Sequence, residues 1–166
     1  YKMPNIAVTQ TATEISSNTE YKGFPNGQLF TRKAVISVPT ASLVVDTVIK
    51  AISLNAGETL HGVQVVSTDM DTHSTATLIL DVGYGNDHAA STPATAATSN
   101  DIIDGSTIGQ AGGAAVASCF SSGDDAGTAF AAGPLSVTTD TTIDVHVQAA
   151  AATAAAGTLT VTAYIS

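Results

Sequence analysis

From Ala34 onward the chain alternates apolar and polar residues in short runs, the signature of strands with one buried face. Ala34, Ile36 and Val38 alternate before Pro39 ends the run. Val48 to Leu54 is a second strand, and Asn55-Ala56-Gly57-Glu58 is a turn signal. Leu60 to Ser67 and Ala76 to Tyr84 follow. In the latter run, Leu78, Leu80, Val82 and Tyr84 share one face. Near the end, TTIDVHVQ sets Ile143, Val145 and Val147 against Thr142, Asp144, His146 and Gln148. GTLTVTAYIS sets Leu159, Val161, Ala163 and Ile165 against Thr158, Thr160, Thr162 and Tyr164. Such alternation predicts antiparallel sheets with the second face wet or engaged with another protein.

Two regions lack this pattern. Residues 1 to 33 read as an extended arm, in which YKGFPNGQLFTRK concentrates aromatic residues between glycines and a proline. Those aromatics must be buried on the home domain or on a neighbour. The middle, roughly Gly85 to Gly133, is rich in Gly, Ala, Ser and Thr and reads as a long binding or interface loop. Within it DIIDGSTIG suggests a short helical turn, and GQAGGAAVASCF suits either an irregular strand or a loop. AAAATAAA (149 to 156) is too short to hold a helix alone and is expected to form a long hairpin tip. The reading is all-β: one antiparallel, jelly-roll-like β-sandwich over residues 34 to 166, preceded by the arm.

Composition narrows the function. Of 166 residues only 11% are charged, against roughly a quarter in an ordinary soluble domain. Small residues take their place, including 28 Ala and 25 Thr, as expected where much of the surface meets protein. The net charge is −9, and Lys2, Lys22, Arg32, Lys33 and Lys50 all lie in the first third. That leaves no basic face for nucleic acid or an anionic membrane. No run of about 18 apolar residues offers a membrane span, and no signal peptide is visible.

Catalytic and metal-binding signatures are weak. Asp69, Asp71 and His73 alternate in STDMDTHST, but the further oxygen donors of a calcium loop are missing, so a solvated turn is expected. Asn86-Asp87-His88 and the Asp124-Asp125 pair in SSGDDAGT also read as turns. His61, His73, His88 and His146 show no zinc spacing. GSTIG does not match the nucleophile elbow, and the only glutamates are Glu14, Glu20 and Glu58. Cys119, the single cysteine, sits among apolar neighbours and is expected to be a buried, inert thiol. No enzyme activity, cofactor or metal is expected.

The order of the pieces resembles that of the head decoration, or cement, proteins of tailed bacteriophages, a class of small β-sandwich virion proteins. Four features carry the resemblance: VIKAISLNAGETLHGVQVVS, then TLILDVGYGND, then the small-residue loop with DIIDGSTIG, then the closing pair TTIDVHVQ and GTLTVTAYI. They span about residues 34 to 166. The resemblance implies a non-enzymatic clamp on the outer surface of a capsid, with the major capsid protein and further copies of itself, as dimer or trimer, for partners. The interface residues expected in the arm are Tyr21, Phe24, Leu29, Phe30, Arg32 and Lys33. Related sandwiches also serve phage tails and adaptors. A bacterial cell-surface filament subunit ranks lower, because Ile6, Val8 and Ile15 make no sustained donor-strand alternation. A carbohydrate-binding module lacks its stacking platform, with no Trp, four Tyr and four Phe.

Overall fold

The computed structural model describes residues 29–84, 101–122, 127 and 129–166. Ten strands follow in order: β1 (Phe30–Val38), β2 (Val48–Leu54), β3 (Thr59–Ser67), β4 (Ile79–Tyr84), β5 (Ile103–Ser106), β6 (Gly113–Ser118), β7 (Ser121–Ser122), β8 (Leu135–Ser136), β9 (Thr141–Ala149) and β10 (Gly157–Ile165). A single 3-10 turn, Thr40–Ser42, joins β1 to β2, and no α-helix occurs among the described residues.

Long-range pairing follows a nested rule. β1 pairs with β10, β2 with β9, β3 with β6 and β4 with β5, all antiparallel. The chain is thus a long hairpin folded back on itself. Rolling it up adds the β10–β3 and β9–β4 ladders. One sheet then reads β1-β10-β3-β6-β7, with β8 on the end of β3, and the other reads β2-β9-β4-β5. This winding is a jelly roll, as the strand pattern leads one to expect.

The strands form because their inward positions are β-branched or leucine, which fit a pleated surface. Ile36, Ile49, Val63, Val65, Leu80, Val145, Val161 and Ile165 all lie at 2% exposure or less between the sheets. Each such side chain contributes roughly 1.5–3 kcal/mol when fully buried. Of the inward residues expected along the runs that give β4, β9 and β10, Leu78, Leu80, Val82, Ile143, Val145, Val147, Leu159, Val161, Ala163 and Ile165 are buried.

Four features differ from the sequence reading. β1 starts at Phe30, ahead of the expected boundary at Ala34, because Phe30 to Lys33 find partners Ile165 to Thr162 on β10. The long middle is not one loop. GQAGGAAVASCF supplies β6, which pairs with β3, and DIIDGSTIG supplies β5 rather than a helical turn. AAAATAAA is not a hairpin tip. β9 and β10 belong to different sheets, so these small residues carry the chain across from one sheet to the other. Finally, the outer face of β9 is not wet, for Asp144 and His146 are 0% and 7% exposed. β9 is a central strand whose two edges pair with β2 and β4, and its outer face is shielded as well at these two positions.

Two crossings rely on glycine, one for backbone conformation and one for space. Gly57 adopts φ +91° in the turn between β2 and β3, a left-handed conformation that a side chain disfavours. At Gly157 a Cβ would lie 2.4 Å from the Met70 side chain, so β10 begins where only glycine fits.

Val145 tests this register. It sits at 0% exposure opposite Ile49 and Val82. Val145→Asp is expected to abolish the cooperative thermal transition, because an unpaired buried charge costs an amount comparable with the ~5–15 kcal/mol stability of a whole domain. Val145→Ala should fold but lose about 1–3 kcal/mol in denaturant titration. A Val145→Asp protein melting like the wild type would refute the assignment.

Candidate interaction surface and polar clusters

The expected interface residues fall into three groups. Tyr21 and Phe24 lie outside the described residues. Leu29 and Phe30, at the start of β1, are half-exposed at 48% and 49%, large apolar groups left open to solvent. Arg32 and Lys33 do not act as a pair, since neighbouring residues of a strand point to opposite faces. Lys33 is exposed on the outer side. Arg32 turns inward over the strand end and is engaged within the chain.

Arg32 makes a two-pronged contact with Glu58. Its Nη2 donates to Oε1 at 2.5 Å and its Nη1 to Oε2 at 3.2 Å, while Nη1 also donates to the Ser53 carbonyl. Glu58 in turn accepts from the Asn55 backbone N–H at 2.8 Å and from its side-chain amide at 3.1 Å. Burial pushes the Glu58 carboxyl up, but the Arg32 guanidinium and the Asn55 donors outweigh it and hold the carboxyl below its ordinary value. This cluster buckles β1 of one sheet to the β2–β3 turn that leads from the other.

The opposite end of the sandwich is tied by Asp71. Sequence reasoning places it in a solvated turn; the structure buries it at 1% exposure. Its Oδ2 accepts from the backbone N–H groups of Thr77 at 2.7 Å, Leu78 at 3.0 Å and Ala152 at 3.0 Å. Its Oδ1 accepts from Thr153 at 2.9 Å and His73 at 3.4 Å. Burial disfavours the charge, yet the N–H groups of Thr153, Thr77, Ala152 and Leu78 more than compensate and hold the carboxyl well below the usual carboxylate range. Backbone bonds from Thr72 N to Thr153 O at 3.1 Å and from Ala155 N to Met70 O at 3.0 Å complete the junction. Asp71 therefore has a structural role, both of its oxygens taken up by backbone N–H donors. Among the described residues no group of three or more His, Cys, Asp or Glu side chains is placed to hold a metal ion.

Two further clusters involve histidine. On the outer side of the β2-β9-β4-β5 sheet, His146 lies between two carboxylates, with Nε2 3.6 Å from Asp46 Oδ1 and Nδ1 3.7 Å from Asp81 Oδ2. Asp81 Oδ1 also accepts from Gly105 N at 2.8 Å. Asp46 itself stands at φ +65°, an uncommon conformation for a non-glycine residue.

At the end of the other sheet, Cys119 is half-buried rather than fully enclosed. Its Sγ is 3.9 Å from His61 Nδ1, and His61 Nε2 lies 2.9 Å from the Ser166 hydroxyl. The thiol thus has an imidazole beside it, contrary to the expectation of an inert, apolar setting. The ladders that bring β6 and β10 to either side of β3 create this contact between residues far apart in sequence. Phe120 stacks parallel to His61, with ring centroids 6.1 Å apart, and is 74% exposed. Asn86-Asp87-His88 and Asp124-Asp125 lie outside the described residues.

No protein-family model and no curated protein sequence matches the chain. Solved structures do. A chain in the capsid of Ralstonia phage GP4 superposes with a TM-score of 0.66 at 24% identity, over 86% of this chain and 88% of that one. A chain in the capsid asymmetric unit of cyanophage Pam1 superposes with a TM-score of 0.63 at 22% identity, over 90% of this chain and 94% of that one. At these identities the shared property is the fold, and it extends over nearly the whole of both partners.

The Asp71 junction makes a pH prediction. A carboxyl whose folded value is depressed adds stability above its ordinary value, and that stability is lost as the pH falls. Asp71 and Glu58, with ordinary values of 3.8 and 4.5, should therefore leave the melting temperature flat near neutrality and make it fall on acidification below about pH 4.5. Asp71→Asn replaces one accepting oxygen with an amide NH2, a donor that faces N–H donors. It should lower Tm at pH 7 by on the order of 10 °C and shrink the acid-dependent part of the fall. Calorimetry of both proteins between pH 3 and 7 checks this.

Proposed function

We propose that this protein is a non-enzymatic structural component of a bacteriophage virion, a decoration or cement protein. It binds the outside of the head between subunits of the major capsid protein. The observation that carries the reading is the end-to-end match of its jelly roll to chains from two phage capsids. Sharing a fold does not by itself assign a role. The reading is favoured because the chemistry of the chain agrees with it. A net charge of −9 disfavours a position against packaged DNA and favours the outer surface. The low charge content suits a protein most of whose surface meets other protein.

The segment entering β1 is an anchor in this proposal. Leu29 and Phe30 are half-exposed where the sandwich begins, and Tyr21 and Phe24 precede them in sequence. Large apolar groups next to an open sheet end are suited to fill grooves between shell subunits, each contributing roughly 1.5–3 kcal/mol if fully buried. Lys33 adds an exposed positive charge beside them. Arg32, held by Glu58, fixes the start of β1.

Deleting residues 1 to 28 leaves all ten strands and should give a folded sandwich with much weaker head binding. The test is co-sedimentation of intact and truncated protein with undecorated heads. The expected result is saturation by the intact protein and at least a tenfold lower affinity for the truncated one, about 1.4 kcal/mol or more. Equal occupancy would remove the anchor role. Failure of the intact protein to bind any head would overturn the cement reading.

A further inference from the structure

Three strands of one sheet bring a thiol, an imidazole and a hydroxyl together at its end. His61 lies on β3, Cys119 directly follows β6 and Ser166 directly follows β10. The register between β3 and β10 slips at this point. Tyr164 pairs with Gly62 and Ile165 with Leu60, which leaves His61 as the extra residue of a β-bulge. A bulge re-aims the side chain it carries. On the other side of β3, Gly62 lets β6 come close, since a Cβ there would lie 2.7 Å from that of Ser118. The Cys119 backbone N–H then donates to the His61 carbonyl at 2.9 Å. Ser166 is fixed in turn by two backbone bonds with Thr59, each of 2.9 Å.

The side chains follow the same order. Cys119 Sγ lies 3.9 Å from His61 Nδ1, and His61 Nε2 lies 2.9 Å from Ser166 Oγ. The two ring nitrogens therefore have separate tasks. With the ring proton on Nε2 and donated to the hydroxyl, the lone pair of Nδ1 faces the thiol. A nucleophile beside a base, with the base oriented by a third group, is the arrangement that activates a thiol. Cys119 is half-buried rather than enclosed. Phe120, the next residue, stacks on His61 with ring planes 5° apart, and at 74% exposure it gives this site an open apolar shelf.

We propose that Cys119 is an activated nucleophilic thiol that takes small disulfides and becomes modified as a mixed disulfide. The step is an exchange and balances without an added oxidant. His61 Nδ1 accepts the S–H proton, the Cys119 sulfur attacks one sulfur of the disulfide, and that S–S bond breaks. The departing sulfur leaves as a thiolate and takes the proton back from His61. One disulfide and one thiol are consumed; one mixed disulfide and one thiol are formed. The modification is stoichiometric, and excess free thiol reverses it. Phe30 pairs with Ile165, the neighbour of Ser166, so the modified residue lies at the end of the sandwich that also carries Leu29 and Phe30. The inference rests on the geometry of His61, Cys119 and Ser166 and stands apart from the virion reading.

The rate of reaction of the folded, full-length protein with dithiodipyridine at neutral pH tests it, read from the thiopyridone released. This disulfide is uncharged, so the net charge of −9 neither steers nor repels it. Each variant is also measured unfolded in guanidinium chloride, where its thiol has lost these neighbours. The native wild type should react at least tenfold faster than its unfolded chain. His61→Gln should abolish that advantage. Ser166→Ala keeps thiol and imidazole but removes the group that orients the ring, and it should lose a several-fold part of the advantage. Circular dichroism checks that the variants fold; if His61→Gln does not, the wild-type ratio and Ser166→Ala still decide. A native wild-type thiol that reacts no faster than the unfolded one overturns the proposal, as does a folded His61→Gln or Ser166→Ala protein that reacts like the wild type.

Discussion

Two of the crossings at one end of the sandwich close on a single carboxylate. The chain leaves β3 for β4 through residues 68–78 and leaves β9 for β10 through residues 150–156, each time passing from one sheet to the other. Backbone in such connections has no ladder to satisfy its N–H groups, and burying them unpaired is costly. Asp71 accepts from Thr77 and Leu78 of its own connection and from Ala152 and Thr153 of the other. One ionised side chain therefore satisfies both crossings and fixes how far apart they sit. Met70 beside it is fully buried and packs where Gly157 starts β10. At the opposite end Arg32 and Glu58 do related work between β1 and the β2–β3 turn. The core supplies the driving force for two sheets to stack; these two charged ties define the stacking at its ends.

The strands were largely legible in the sequence, and the ties were not. β2 is bounded by a clear turn, and β9 and β10 alternate cleanly, so their inward residues follow from period two alone. β5 and β6 are hidden because Gly, Ala and Ser give no apolar contrast; Ala115 and Ala117 face the core, but an alanine strand looks like a loop. The role of Asp71 is invisible because its distant partners are backbone N–H donors, 81 and 82 residues away, which any sequence would offer. For the same reason AAAATAAA reads as a hairpin: nothing local says that β9 and β10 join different sheets. The Cys119–His61 contact needs the β3–β6 register, and Asp144 and His146 are polar residues on a strand covered on both sides.

The distribution of charge links the fold to the proposed role. A jelly roll has two outer faces, and here they differ in chemistry. One carries Asp81, Asp144 and His146 within a polar, largely buried layer. The other is built of Val, Thr and Ala, with acids excluded from every strand. A protein that stood alone in solution would gain solubility from charges on both faces. Keeping acids out of these strands in so acidic a chain suits a surface that meets protein, and Leu29 and Phe30 stand exposed at the start of β1 beside it.

The most direct test is an electron cryo-microscopy reconstruction of the native particle in which this chain is built. The account predicts density for the ten-stranded sandwich on the outer surface of the head, over boundaries between shell subunits, with the segment before β1 running into the shell. Density for the chain on the inner surface against DNA, or confined to the tail, or absent from the particle, would contradict it.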